Sequence, residues 1–473
     1  VIRFADDGAY NNIKYCNIES QATLTTTGNI FFHTSTGTIG NSFNTIENNM
    51  IRGRTDVPAD SIGNGILSNG SLAAPNHSNI IDANHIVNYR AIGVSLVATN
   101  TGNGPDWQIT NNRFYSSVIS GITQAGISSA STAATNLIID GNIIGGSASD
   151  GSGMMTNSGN NLFTGISITG GQAVITDNLI TNMTGTNTGT TARTRGIYVT
   201  AGADGQVASG NTVSNLISNS GVVSGYTAGS QAAVGISFWP GATFYNCEIN
   251  NNTISNISTE NTTAFTTIHS ACGMFLTNVK GIVNGNRIYD IKNKSTGITA
   301  GQPPVAAGIL IRFVDSAFIS NNMISLGNGE NTNTQFAGIQ TVTGTATNDN
   351  MIFYNSISIL GTSGGSTGSY GIVRGDNSIT APLSPMVILN NAVVNQRTGG
   401  GSVNYALGFM GGDSSVFVFS FYNMLFNSDA STLVQSNVNN YNFSQWKSNS
   451  GNETTSLSRS EERRVGKECR SRW

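Results

Sequence analysis

Short apolar runs alternate with small polar residues along almost the whole chain, and one polar phrase returns throughout. In IVNGNRIYDI, residues 282–291, Gly285-Asn286 stands between two apolar runs, as a hairpin turn would. Aligned on the asparagine, the phrase recurs at Asn17, Asn49, Asn84, Asn112, Asn142, Asn178, Asn211, Asn252, Asn286, Asn322, Asn355, Asn391 and Asn423. These thirteen positions span 406 residues with a mean period near 33.8, individual spacings running from 28 to 41. Three residues earlier stands an aliphatic in ten cases: Ile46, Ile81, Ile109, Ile139, Ile175, Ile249, Val283, Ile319, Ile352 and Ile388. Two residues later stands an apolar side chain in twelve of the thirteen. The residue just before is most often Asn, Gly or Asp, the types that tolerate a left-handed backbone.

A second phrase, glycine followed by apolar residues at period 2, lies between the asparagines. It reads GILS at 65–68, GISI at 165–168, GIYV at 196–199, GISF at 235–238, GMFL at 273–276 and GILI at 308–311, among others. Two phrases in alternation at this period mark a repeat protein. Each unit offers three short strands with a bend at the asparagine and no helical periodicity. A coil of parallel strands, each bonded to its counterpart one turn away at about 4.8 Å, satisfies the pattern better than a row of hairpins. Identical positions then stack, and a buried asparagine amide can meet the amide above it. The expected fold is all-β: a right-handed parallel β-helix of about thirteen coils, roughly 60 Å long, with an internal asparagine ladder.

The phrases I-x-N-N-x-I and A-G-I-x-I resemble those of the right-handed parallel β-helix (pectate-lyase-like) family, over roughly residues 5–430. The likeness is greatest to large secreted or surface β-helix proteins of the Bacteroidota type. The resemblance implies an extracellular or cell-surface location and a family that spans lyases, glycoside hydrolases and adhesins. Fold alone does not choose among them.

Composition narrows the choice. Only 10% of residues are charged, so Asn, Ser, Thr and Gly carry the polarity, and no run of eighteen apolar residues suggests a membrane span. The formal net charge of −3 and the lack of a basic stripe argue against nucleic acid. The last fifteen residues, 459–473, hold nine charges (six basic, three acidic) and resemble vector or adaptor read-through; without them the body carries 16 − 22 = −6. The opening reads as starting inside a strand, so a fragment or mature segment is expected, with coils to about 430 and a cap or truncated remainder at 431–458. Cys16, Cys247 and Cys272 form no disulfide or zinc pattern and are expected in small buried positions.

Two candidate sites follow. On the glycine strands the outward set reads Tyr198, Ser237, Trp239, Phe275, Thr277, Leu310 and Arg312. Its aromatics could stack sugar rings, with Tyr198, Trp239, Phe275 and Arg312 as ligand-binding residues; no acid or base stands among them. On the asparagine strands, Asp82 and Asp140 share one position two coils apart, roughly 10 Å by strand spacing, with His85, Arg113 and Asp177 nearby. An inverting glycosidase holds its carboxyls about 6.5–9.5 Å apart, so this pair fits only marginally, and Asp can equally serve the turn. No acidic cluster suggests calcium, no His spacing suggests a metal, and no cofactor is implied. Arg374-Gly375-Asp376 is a three-residue match that chance explains. The sequence therefore points to a secreted or surface scaffold or adhesin contacting polysaccharide without catalysis. The alternative is a carbohydrate-active enzyme, a glycoside hydrolase or polysaccharide lyase, using Asp82, Asp140, His85 and Arg113. Oligomeric state is not set by the sequence.

Overall fold

The computed structural model describes residues 1–56, 60–98, 102–221, 231–241, 243–262, 269–295, 305–312, 317–343, 350–375, 385–399, 401, 403–410, 418–436 and 439–458. The expected tail at 459–473 lies outside them. The chain folds as a parallel β-solenoid in two compact units, the first of residues 1–222 with 232–253, the second running from Ile254 on. In each unit every turn lays down one strand in each of three parallel sheets. Sheet I holds the glycine phrase, sheet II the strand before the ladder asparagine, and sheet III the strand after it. Sheet II has eight strands in the first unit and five in the second.

The ladder is a corner between sheets II and III. The backbone N–H of Asn84 donates to Asn112 Oδ1 at 2.9 Å, and its Nδ2 donates to the same oxygen at 3.0 Å. The second Nδ2 proton goes to the carbonyl of Ile46 on the coil before, at 2.8 Å. Both donors of each amide and both lone pairs of its oxygen are thereby used. The pattern repeats through Asn112, Asn142, Asn178, Asn211 and Asn252 in the first unit. In the second it runs through Asn286, Asn322, Asn355, Asn391 and Asn423. The residue before each asparagine is left-handed, including Ala83 (φ 53°), Asp177 (φ 52°) and Tyr354 (φ 54°). Asn49 and Asn423 are full members. Asn17 is not: it pairs with Met50, and Cys16 takes the ladder position, its N–H donating to Asn49 Oδ1. Cys16 is therefore exposed rather than buried, while Cys247 and Cys272 are buried and all three are free. A shorter second ladder, Asn11–Asn44–Asn79, opens sheet II and was not legible from the repeat.

The glycine phrase is coupled to the asparagine phrase through the core. A Cβ built on Gly165 would lie 2.6 Å from Ile180 Cγ2 and 2.8 Å from the Gly196 carbonyl. Gly65 meets Ile86, Gly126 meets Ile144, Gly308 meets Ile324 and Gly338 meets Ile357 in the same way. Each partner is the apolar residue two beyond the ladder asparagine. Sheet I must pass so close to sheet III that only hydrogen fits between them. The remaining core is stacked aliphatics, with Ile81, Ile109, Ile139 and Ile175 all fully buried on sheet II.

The C-terminal end of the second unit is covered by residues within the 431–458 segment. The helix Phe443–Ser450 starts on an Asn442–Gln445 capping box and ends at left-handed Gly451, and its Trp446 stacks on Phe409 at 5.2 Å. Beyond it Ser456 accepts the last ladder N–H, from Asn423 at 2.7 Å. Fully buried Glu453 accepts hydrogen bonds from Ser420 and from Asn423 Nδ2.

Two outcomes follow. Gly165→Ala should lower unfolding stability by about 1–3 kcal/mol, because both obstructing groups belong to packed neighbours; urea unfolding followed by circular dichroism checks it. Burial raises the Glu453 carboxyl above its ordinary value even though Ser420, Ser456 and Asn423 bond it. A raised acid binds its proton more tightly in the native state, so its contribution to stability grows as pH falls through the folded value towards the ordinary value near 4.3. The melting temperature of the wild type relative to Glu453→Gln should therefore rise between pH 8 and pH 5.

Candidate functional site

On sheet II of the first unit the outward position two before the ladder reads Lys14, Glu47, Asp82, Thr110, Asp140, Thr176 and Ser209 on successive coils. Asp82 and Asp140 do share this column, with Thr110 between them, so they stand about 10 Å apart by strand spacing. Each carboxylate accepts the hydroxyl of the threonine on the next coil. Thr110 Oγ1 donates to Asp82 Oδ1 at 2.6 Å, joined by Asn111 Nδ2 at 2.9 Å, and Thr176 Oγ1 donates to Asp140 Oδ1 at 2.5 Å. Lys14 and Glu47 extend the column as an ion pair at 2.7 Å. Asp177 is the left-handed corner residue and does not join the column.

His85 and Arg113 lie beyond the corner, as register neighbours on the outward side of sheet III. Burial, then the adjacent Arg113 charge, pulls the His85 imidazole below its ordinary value, which favours the neutral ring. The ring meets Tyr115 edge-on at 6.0 Å. The four candidate catalytic groups thus divide between two sheets on either side of Asn84. By strand spacing the carboxyls stand at the far limit of an inverting pair, and hydroxyls already bond to them.

The exposed aromatic column expected on sheet I is incomplete. Phe275 and Leu310 are fully buried, as are Ser237 and Thr277, so Phe275 offers no face to a ligand. Arg312, in the second unit, is half-buried. Tyr198 and Trp239 remain half-exposed in the first unit, brought together because Tyr198 pairs with Ser237 and the Trp239 N–H donates to Val199 O at 2.7 Å. Arg193 and Arg195 join them from the same strand, Arg193–Val199. The Arg195 guanidinium lies over the Tyr198 ring, 3.9 Å from its centroid, and burial lowers its pKa to about 10. Burial also lowers that of Arg193. No Asp or Glu occurs in any strand of sheet I. The two arginines were overlooked in the sequence, although RTRGIY is the one glycine phrase preceded by a basic pair.

Other signals resolve simply. Tyr10 and Phe43 stack on each other at 4.9 Å, and Phe43 meets His77 edge-on, so these rings occupy one another's faces. The insertion at 145–164 folds a short strand, Met155–Asn157, onto sheet III, whereas most of 218–234 lies outside the described residues. Arg374 is buried, and Asp376 and the His269 side chain lie outside the described residues. Among the described residues no group of three or more His, Cys, Asp or Glu is placed to share a metal ion, and no helix is long and apolar enough to cross a membrane. No family model, curated protein or solved structure matches the chain significantly.

Proposed function

We propose that the protein is a non-catalytic solenoid scaffold or adhesin, secreted or displayed at the cell surface, that holds a glycan chain against sheet I of its first unit. The observation that carries this reading is the Arg195–Tyr198 stack, with Trp239 on the next coil and Arg193 along the strand. A sugar ring presents an apolar face and a rim of hydroxyls. A tyrosine and a tryptophan suit the face, and the half-buried Arg193 guanidinium suits the rim or an acidic substituent, while buried Arg195 holds the Tyr198 ring. The stack also fixes the Tyr198 ring before any ligand arrives, which reduces the ordering cost of binding. The strands of sheet I supply no carboxyl to act as acid or base. The wide, hydroxyl-bonded pair Asp82 and Asp140 gives a hydrolase or lyase reading less support.

Affinity electrophoresis through gels carrying neutral and acidic glycans tests the proposal, with new reducing ends and unsaturated products assayed in parallel. At least one glycan should retard the protein without being cleaved. Tyr198→Ala/Trp239→Ala should weaken that retardation roughly tenfold or more while the circular dichroism spectrum is retained. Turnover abolished by Asp82→Asn or Asp140→Asn would replace this reading with the enzymatic one. Retardation untouched by the double variant would move the site elsewhere.

A further inference from the structure

Sheet II changes character in the second unit. In the first unit one outward column is polar from Lys14 to Ser209 and the column beside it is partly aliphatic, with Ile80, Ile138, Val174 and Val207 and no aromatic ring. From Ala317–Ser320 onward the four strands hold no charged residue. One outward column reads Phe318, Met351, Val387, Phe419 in register. The column beside it continues Ser320 with Phe353, Leu389 and Phe421. At the edge, the left-handed corner positions before Asn355 and Asn423 hold Tyr354 and Tyr422, where most coils have Asn, Gly or Asp. Phe318 is 43% exposed, Phe419 57%, and Tyr354 and Tyr422 61% each.

Purely parallel sheets are normally covered on both faces. This one has its inner face in the core and an outer face that is apolar and open. At about 200 Å² per aromatic side chain, the four rings expose on the order of 450 Å², and half-buried Met351, Phe353, Val387, Leu389 and Phe421 add to the patch. Two such faces would bury on the order of 900 Å² before those neighbours are counted, close to the roughly 1,000 Å² in total that a specific interface clears. The two columns carry only one hydroxyl, that of Ser320, which leaves the rim of a sugar without partners over most of the face. Four strands without a charged residue set up no repulsion against the same strands of a second copy, and stacked sheets of this kind pack about 10 Å apart.

We propose that this face is a self-association surface, on which a second copy of the chain docks its own sheet II about a two-fold axis. Phe318 and Phe419 form the centre of the contact, and Tyr354 and Tyr422 its edge. Two copies joined this way would also present two glycan-binding faces in one particle, which raises avidity without any new ligand contact.

Sedimentation velocity over a concentration series measures the association directly. The protein should run as a dimer at micromolar concentration. Phe419→Lys should raise the dissociation constant at least tenfold, because it places an unpaired charge in the contact. Tyr354→Asn/Tyr422→Asn should weaken the dimer with the fold intact, since Asn390 already fills the same corner on the coil between them. Tyr10→Lys, on the exposed edge of the first unit, should leave the mass unchanged. A monomer at every concentration overturns the proposal, as does a dimer indifferent to both face variants. Binding to phosphatidylcholine vesicles in place of self-association would also overturn it, by assigning the face to lipid.

Discussion

A solenoid has to turn at points packed between its own neighbours, and a buried turn exposes backbone donors that no strand partner can meet. In this chain the asparagine amide meets them. One Oδ1 takes the N–H and the Nδ2 of the asparagine on the preceding coil, and the Nδ2 returns its other proton to a carbonyl of the coil before, most often an isoleucine's but Ala208's for Asn252 and Val283's for Asn322. Leaving such groups unbonded would cost about 1–3 kcal/mol each, so the corner is tolerable only because the ladder is continuous. The left-handed residue before each asparagine, the sheet II strand before it and the sheet III strand after it are all referred to that point. Where asparagine is missing, the substitutes are local: the backbone of Cys16 at one end of the ladder, Ser456 with Glu453 at the other.

The glycine of sheet I belongs to the same geometry. It faces the apolar residue two beyond the asparagine, and the space between them excludes even a methyl group. The two phrases therefore alternate because they touch across the core. That leaves the outer faces free of the repeat's constraints, and the three sheets use them differently. Sheet I has arginines and aromatics without acids in the first unit. Sheet II of the first unit carries hydroxyl-bonded carboxylates, and sheet II of the second carries, from Ala317–Ser320 on, aromatics on strands without charge.

Much of the fold was legible because a buried repeat constrains residue identity at each coil: asparagine at 84, isoleucine at 81 and 86, glycine at 93. The one-residue slip at Asn17 arose where the first coil has asparagine at the position after the ladder and cysteine in it. Whether 431–458 is a cap or a truncated remainder was not legible, because the helix Phe443–Ser450 follows no repeat. The candidate site was less legible. Alternation along a strand says which way Phe275 points, not what lies over it, and that side chain is buried. Arg193 and Arg195 precede the glycine phrase, outside the positions that alternation orders. The outward face of sheet II was readable in principle, since Phe353, Leu389 and Phe421 occupy one repeat position, but alternation gives the direction of a side chain and not whether the face is covered.

Hydrogen exchange resolved to single backbone amides tests the ladder most directly. The account predicts that the N–H groups of Asn112, Asn142, Asn178 and Asn322, bonded only to side-chain oxygens at bends, exchange as slowly as those of the strands beside them. Exchange at these four amides as fast as in the exposed turns, with the strands still protected, would show that the asparagines do not hold the corners.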